Sequence, residues 1–425
     1  MSKVAGHIIE IFGDYLRHIK NFRRNVKLLI LSHILYSTAI GVFGVFFNVY
    51  LKKGGFQEDF IGVLSSIGTF TTVLVAIPAG IYVSKIGPKK AILYALPIII
   101  ASSAISSLTL IPAILITLAV LSGGANMMFN AAFNPCLTAN SLPENRHYVF
   151  SLSWGLLNLS GVVGALAGGF VPDLLGDWFG FSEFVSLRVT LFSAGILAFS
   201  GFIPLLRLDE GIRCEPPKFP KWGLDFSDKE SVRIFSKFVI LNLIIGLGAG
   251  FSVPFMNIYF SSEFGLKPTI IGYIFSGAAA ITGFATFASP LLVKKFGKLR
   301  AMIIPQTISL PFILLLAHSK AAWLAVAAFW IRGSLMNAAN PVMNQIVMEQ
   351  SKEEKRPLIQ NLMSLSWNIA WASSVAVSGF IIKNRGYMIP FYITFFIYIF
   401  YVFTLYILLR GDVSLARPTK VETSD

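Results

Sequence analysis

A dozen apolar stretches of roughly twenty residues each, separated by short charged gaps, leave this chain few ways to fold. About 20 residues of helix cross a hydrocarbon layer. In that layer every backbone amide must find its partner within the protein, so a run of this kind is read as a transmembrane helix. The predicted spans are 27–51, 59–83, 91–111, 113–139, 148–172, 184–206, 234–260, 269–293, 301–317, 321–347, 359–382 and 388–409. Composition closes off the soluble alternative. Hydrophobic residues make up 55% of the 425 and charged residues 13%, about half the charge that a soluble domain uses to cover its core. The expected fold class is therefore an all-α polytopic membrane protein. Pro78, Pro135, Pro254, Pro290 and Pro341 fall inside spans, where neighbouring helices can re-satisfy the freed carbonyls.

The formal net charge of +14 does not form a stripe for nucleic acid. Lys52, Lys53, Lys267, Lys320, Lys383 and Arg385 fall in what would be outer loops, and Arg188 and Arg332 fall inside spans. All other Lys and Arg residues lie in the alternate gaps, which places both termini in the cytoplasm. The expected location is the cytoplasmic (inner) membrane of a prokaryote, with lipid as neighbour and a monomer as the working unit. Charge persists from Glu10 to Lys27 with no cleavage pattern, so the start does not read as a signal peptide. Within it Ile8, Ile11, Phe12, Tyr15, Leu16, Ile19 and Phe22 recur at helical spacing, as in a helix lying in the inner interface. Cys136 and Cys214 do not suggest a disulfide framework. Zinc-ligand spacing, a phosphate-binding loop and a dinucleotide fingerprint are all missing, so neither metal nor cofactor is expected. Cys136 and Ser153 lack a base beside them, and the chain does not read as an enzyme.

The two halves repeat. Asn48-Val49-Tyr50 matches Asn257-Ile258-Tyr259, Ile61-Gly62 matches Ile271-Gly272, and the run from Lys85 to Lys90 matches that from Lys295 to Arg300. Asn134-Pro135 matches Asn340-Pro341, and Ser151-Leu152-Ser153-Trp154 recurs as Ser364-Leu365-Ser366-Trp367. The offset stays between 206 and 213 residues, which argues for duplication. The expected organisation is a cytoplasmic segment 1–26, a six-helix bundle 27–206, a linker 207–233, a second six-helix bundle 234–409 and a tail 410–425. Two parallel repeats of this kind bind solute where the halves meet.

Residues Gly80-Ile81-Tyr82-Val83-Ser84-Lys85-Ile86-Gly87-Pro88-Lys89-Lys90 resemble the loop between helices two and three of the major facilitator superfamily. Gly80, Lys85, Gly87, Lys89 and Lys90 agree with the family pattern, whereas Ser84 stands where it usually has Asp and Pro88 where it often has Arg. The resemblance implies an alternating-access secondary transporter whose cytoplasmic gate this loop braces. It also implies that the first, fourth, seventh and tenth spans line the solute path. Gly155, Gly164, Gly168 and Gly169 resemble in part a glycine-rich pattern of family exporters, which leans toward export; close helix packing by small residues is the alternative.

Asn126, Asn130 and Asn134 share one face of the fourth span. The tenth carries Arg332, Asn340 and Asn344 at similar spacing, with Asn337 nearby. Arg332 is the repeat mate of Asn126 and lies about 16 Å into its span at about 1.5 Å per residue, beyond easy reach of an interface. A guanidinium there suits a carboxylate or phosphate of the solute, or else serves as a structural donor to protein acceptors. Tyr36 and Asn242 are further cavity candidates. His33, the one His inside a span, is the candidate proton relay, since no carboxylate reaches mid-membrane. Trp154 and Trp367, repeat mates near the inner ends of their spans, are candidate gate residues. Pro135 and Pro341, each after an Asn, are expected to bend the fourth and tenth spans alike. The expected function is transport of a small solute, an anionic organic one in the first instance. A lipid or glycolipid flippase, a multidrug-type exporter and a non-transporting membrane receptor are the alternatives.

Overall fold

The computed structural model describes residues 22–209 and 229–410. The amphipathic segment 8–22 apart from Phe22, most of the linker and the tail after Arg410 lie outside the described residues. Every regular element among the described residues is helical. In order they are α1 (Arg24–Lys53), α2 (Glu58–Leu74), α3 (Ala76–Ile86), α4 (Pro88–Leu108), α5 (Pro112–Asn140), α6 (Arg146–Phe179), α7 (Glu183–Ser200) and α8 (Phe202–Leu206). The second half adds α9 (Lys229–Ser252), α10 (Met256–Phe264), α11 (Pro268–Phe296), α12 (Lys298–His318), α13 (Ala322–Asn337), α14 (Asn340–Gln350), α15 (Arg356–Arg385) and α16 (Met388–Leu409).

Ten helical stretches of the described residues are long and apolar enough to cross a membrane, and the pair α2 and α3, bent by 54°, makes an eleventh. The expected span 321–347 is the exception. It is helical as α13 and α14, and neither piece has the length of a span. Pro341 is the cause, because it has no N–H for the Asn337 carbonyl and its ring crowds that carbonyl. The ladder closes at Ala338 N to Ser334 O, 3.0 Å, and restarts at Met343 N to Ala339 O, 3.0 Å. Pro135 does not act in the same way: α5 runs through it without a break.

Apolar side chains face outward along nearly every helix: Phe287 is 85% exposed, Phe284 76% and Leu74 75%. Ser66, Ser102, Ser309, Ser374 and Thr394 are buried instead. This arrangement places apolar rings against lipid and small hydroxyls between helices. Most of those hydroxyls bond a backbone carbonyl, as Thr394 Oγ1 does to Gly248 O at 2.9 Å.

The described residues group into two compact units, one within Met1–Phe47 and Leu74–Trp222, the other within Asn48–Val73 and Gly223–Asp425. In the first, glycines bring α1 and α6 into backbone contact: a Cβ on Gly164 would stand 2.1 Å from Thr38 O, and one on Gly41 2.4 Å from Gly161 O. In the second, α9 meets α15 in the same manner, with Gly246 against Trp367 O at 2.9 Å and Gly250 against Trp371 O at 2.8 Å. The turns repeat as well. The positive-φ residues of the described chain are all glycine and form three pairs, Gly55 with Gly265, Gly87 with Gly297 and Gly180 with Gly386, each within the repeat offset. A left-handed residue costs any side chain that carries a Cβ, so this pairing preserves turn geometry where most side chains have diverged.

Candidate functional site

In the first unit the polar face begins on α1. Tyr36, 5% exposed, donates to Asn126 Oδ1 at 2.8 Å, and Asn126 Nδ2 donates to Ser122 O at 2.9 Å. The Asn126 amide is thereby committed to the protein. One and two turns further along α5, Asn130 and Asn134 are exposed. His33 sits one turn before Tyr36, with its ring 4.2 Å from that of Phe133 and 6.1 Å from that of Phe129. Its Nδ1 is buried and lacks a hydrogen-bond partner among the described residues. The ring packs as an aromatic body against Phe133.

The second unit holds Arg332. The side chain is 7% exposed, its Nη2 donates to Tyr398 Oη at 2.9 Å, and its guanidinium carbon lies 5.4 Å from the Tyr398 ring centroid. Among the described residues no carboxylate pairs with it. Gln306 and Ser309 of α12 are also buried there; Ser309 Oγ donates to Gln306 O at 2.6 Å and lies 3.5 Å from Met336 Sδ, and Gln306 Oε1 has no partner among the described residues. Arg332 therefore shares its face with Met336 and turns toward α16. Asn337 and Asn340 are exposed on another face and bond each other at 3.0 Å. The grouping of Arg332 with these asparagines does not form. Asn242, half-buried on α9, bonds back to Phe238 O at 2.9 Å.

The repeat mates Asn126 and Arg332 thus each meet a tyrosine hydroxyl, from α1 in one unit and from α16 in the other. Tyr398 escaped sequence reasoning because its span, Met388–Leu409, holds four Tyr and two Thr residues and nothing in the pattern singles out one of those hydroxyls.

At the loop that resembles the family gate, Gly87 takes φ 86° and its N–H closes α3 on Val83 O at 2.9 Å. Ser84 Oγ folds back onto Ile81 O at 2.7 Å. Lys89 Nζ donates to Leu208 O at 2.7 Å, Gly80 is buried, and Lys85 and Lys90 are exposed. The equivalent turn of the second repeat carries an ionic contact: Lys298 pairs with the Glu349 carboxylate, which also accepts Gln345 Nε2 at 2.8 Å. Partial burial pushes the Glu349 carboxyl up, but the Lys298 and Gln345 hydrogen bonds and the Lys298 charge outweigh it and hold the carboxyl below its ordinary range. Trp154 is 60% exposed, and Trp367, half-buried, stacks on Trp371 with centroids 5.8 Å apart. Among the described residues no cluster of His, Cys, Asp or Glu is arranged to hold a metal ion.

Similar folds are known. A bacterial homolog of the human lysosomal transporter Spinster, in an inward-facing and occupied conformation, superposes with a TM-score of 0.77 at 14% identity, covering 92% of this chain and 97% of that one. A bacterial homologue of the iron transporter ferroportin, inward-facing, gives 0.74 at 11% identity over 91% and 98%. The nucleoside transporter NupG gives 0.65 at 15% identity over 91% and 98%. No curated protein matches the sequence. At these identities the structures speak for the fold alone, but the Major Facilitator Superfamily sequence model matches residues 29–234 and 238–424. The chain therefore belongs to the Major Facilitator Superfamily, whose members are non-enzymatic secondary transporters that work by alternating access.

Proposed function

We propose that this transporter carries a small organic anion and that Arg332 attracts its charged group. The supporting observation is the buried guanidinium whose one hydrogen-bond partner among the described residues is neutral. Taking an ion out of water costs several kcal/mol even after relaxation. One hydrogen bond to a charged group returns about 1.5–3 kcal/mol. An apolar residue at position 332 would hold the core together at less cost, so a purely structural role accounts poorly for an arginine there. A carboxylate or phosphate arriving with the solute supplies the missing counter-charge in a geometry that suits a planar fork.

On this reading residues 321–347, within α13 and α14, complete the count of twelve spans, broken at Ala338–Ala339, with Glu349 just beyond the inner end. The chain then holds two six-helix bundles, with both termini cytoplasmic. Export is the favoured direction only through the glycine pattern of α6, and there Gly164 and Gly168 have a sufficient reason in their packing against α1.

The test is a panel of anionic, neutral and cationic solutes in proteoliposomes, with internal and external pH set independently. Saturable flux of anions that neutral and cationic analogues fail to inhibit supports the reading. Equal flux of neutral analogues overturns it.

A further inference from the structure

Arg188 is the second arginine that falls inside a span, and it belongs to the first compact unit. It stands five residues past the start of α7, whose first turn is capped by Ser182 Oγ accepting from Val185 N at 3.4 Å. Its guanidinium carbon lies 4.7 Å from the centroid of the Phe184 ring, one turn nearer the helix start. Its Nε is buried and has no hydrogen-bond partner among the described residues. No carboxylate among them pairs with it. As a rule a charge inside a span faces a counter-group, and a ring face replaces only part of one.

The position of Arg188 around α7 shows where that group comes from. Leu187, Leu191, Ala194 and Ala198 are buried, and a Cβ on Gly195 would stand 3.1 Å from Ala104 Cβ of α4. Phe192, Ile196 and Phe199 are exposed. They follow Arg188 by four, eight and eleven residues, so at 3.6 residues per turn they form a ridge with the half-buried arginine at its head. From Arg188 to Phe199 the ridge runs about 16 Å at about 1.5 Å per residue. That is about half of a hydrocarbon core of about 30 Å, the depth of one leaflet.

In the other direction the chain reaches the turn at Gly180, φ 65°. Trp178, Phe179 and Phe181 are exposed there, and the rings of Phe179 and Phe181 stack with centroids 5.7 Å apart. Exposed aromatic rings at the end of a span mark the boundary between hydrocarbon and headgroups. Arg188 therefore sits just inside that boundary, with a stem long enough to hold its charge at headgroup depth. The aligned stretch of the second repeat, residues 394–401, holds no basic residue, so the arrangement belongs to the first unit alone.

We propose that Arg188 and the ridge of Phe192, Ile196 and Phe199 form a seat for one phospholipid, in the leaflet that holds the Gly180 turn. The lipid phosphate lies on the guanidinium and an acyl chain lies along the ridge. A phosphodiester brings the missing counter-charge and accepts from a planar fork whose orientation Phe184 sets. An anionic headgroup such as phosphatidylglycerol is preferred to a zwitterionic one, whose own cation competes with Arg188 for the phosphate. The seat involves neither the solute nor Arg332.

The test uses full-length protein, delipidated in a neutral detergent, titrated with phosphatidylglycerol and followed by native mass spectrometry. Diacylglycerol, which has the chains without the phosphate, and inorganic phosphate are the comparison ligands. Arg188→Leu removes the charge, and Arg188→Gln, still polar and nearly as long, is the second variant should the first fail to fold. Lys267→Gln removes an exposed charge from the turn before α11 as a control. Phosphatidylglycerol is expected to bind either Arg188 variant roughly 10- to 100-fold more weakly than the unaltered protein, the scale of one charge-assisted hydrogen bond. It should bind Lys267→Gln within a few-fold, and diacylglycerol should bind all of these proteins alike. Undiminished phosphatidylglycerol binding by the Arg188 variants overturns the seat. An equal loss in Lys267→Gln overturns it as well, because surface charge would then suffice. Displacement of phosphatidylglycerol by inorganic phosphate overturns the lipid as occupant and leaves a site for a free anion.

Discussion

Replacing Arg332 by Gln separates a solute anchor from a structural donor, because the two roles predict opposite balances of stability and affinity. The guanidinium is 7% exposed and makes one hydrogen bond, to Tyr398 Oη at 2.9 Å. Losing that bond costs about 1.5–3 kcal/mol. Losing the buried charge returns several kcal/mol, since no carboxylate among the described residues offsets its desolvation. The net expectation is a thermal midpoint no lower than that of the unaltered protein. Affinity behaves differently. A charge-assisted bond to the solute worth about 1.5–3 kcal/mol corresponds to a loss of roughly 10- to 100-fold in Kd, at about 1.4 kcal/mol per decade. The measurements are thermal unfolding in nanodiscs and equilibrium binding of a labelled anion identified by the flux panel. Tyr398→Phe is the complementary variant: it keeps the ring under the guanidinium and removes the acceptor, so it should lower stability while leaving Kd within a few-fold. A lowered midpoint with unchanged Kd in Arg332→Gln would refute the anchor and leave Arg332 as a strut between α13 and α16.

Three further outcomes are expected. Gly164→Val places a Cβ about where Thr38 O now stands, 2.1 Å away, and should destabilise the first unit by about 1–3 kcal/mol or more, read as a lowered unfolding midpoint; Gly155→Ala, with open space at that position, should change little. Glu349 titrates below its ordinary range when folded, so the Lys298 contact is present above the unfolded carboxylate value of about 4.3 and is lost as pH falls through the folded value. Glu349→Gln should therefore lower stability slightly at neutral pH and flatten the acid limb of a stability-against-pH curve, so that the two proteins converge at low pH. His33→Phe preserves the packing on Phe133 and should leave the pH profile of transport unchanged; collapse of that profile would restore His33 as a relay.

The elements that lipid dictates were legible in the sequence. All twelve predicted segments are helical, because a run of about 20 apolar residues in hydrocarbon has no other way to satisfy its backbone. The turns were legible in part: Gly87 and Gly297 belonged to a matched loop, and Gly55 with Gly265 and Gly180 with Gly386 complete the pattern once φ is known. The breaks were not legible. Pro135 and Pro290 lie within continuous helices, while Pro78 and Pro341 lie just beyond breaks. Each removes one N–H from a ladder. Whether the helix then bends or breaks depends on how the neighbouring backbone takes up the freed carbonyl, which local sequence does not encode.

The site divides along the same line. Depth along a span is a matter of counting, so Arg332 and Asn126 could be singled out as costly to bury. The direction in which each side chain finds relief is a matter of packing. Polarity alone pointed to the asparagines, yet at 3.6 residues per turn Met336 lies about 40° around the helix from Arg332 and Asn337 about 140°. The arginine instead lies with Met336 against α16, where Tyr398 supplies both a ring face and an acceptor. A guanidinium held that way has no fixed counter-ion among the described residues, and its plane is set by the tyrosine. That is the condition for binding an anion reversibly: a permanent carboxylate partner would compete with the solute, and a freely rotating arginine would lose side-chain entropy each time one bound.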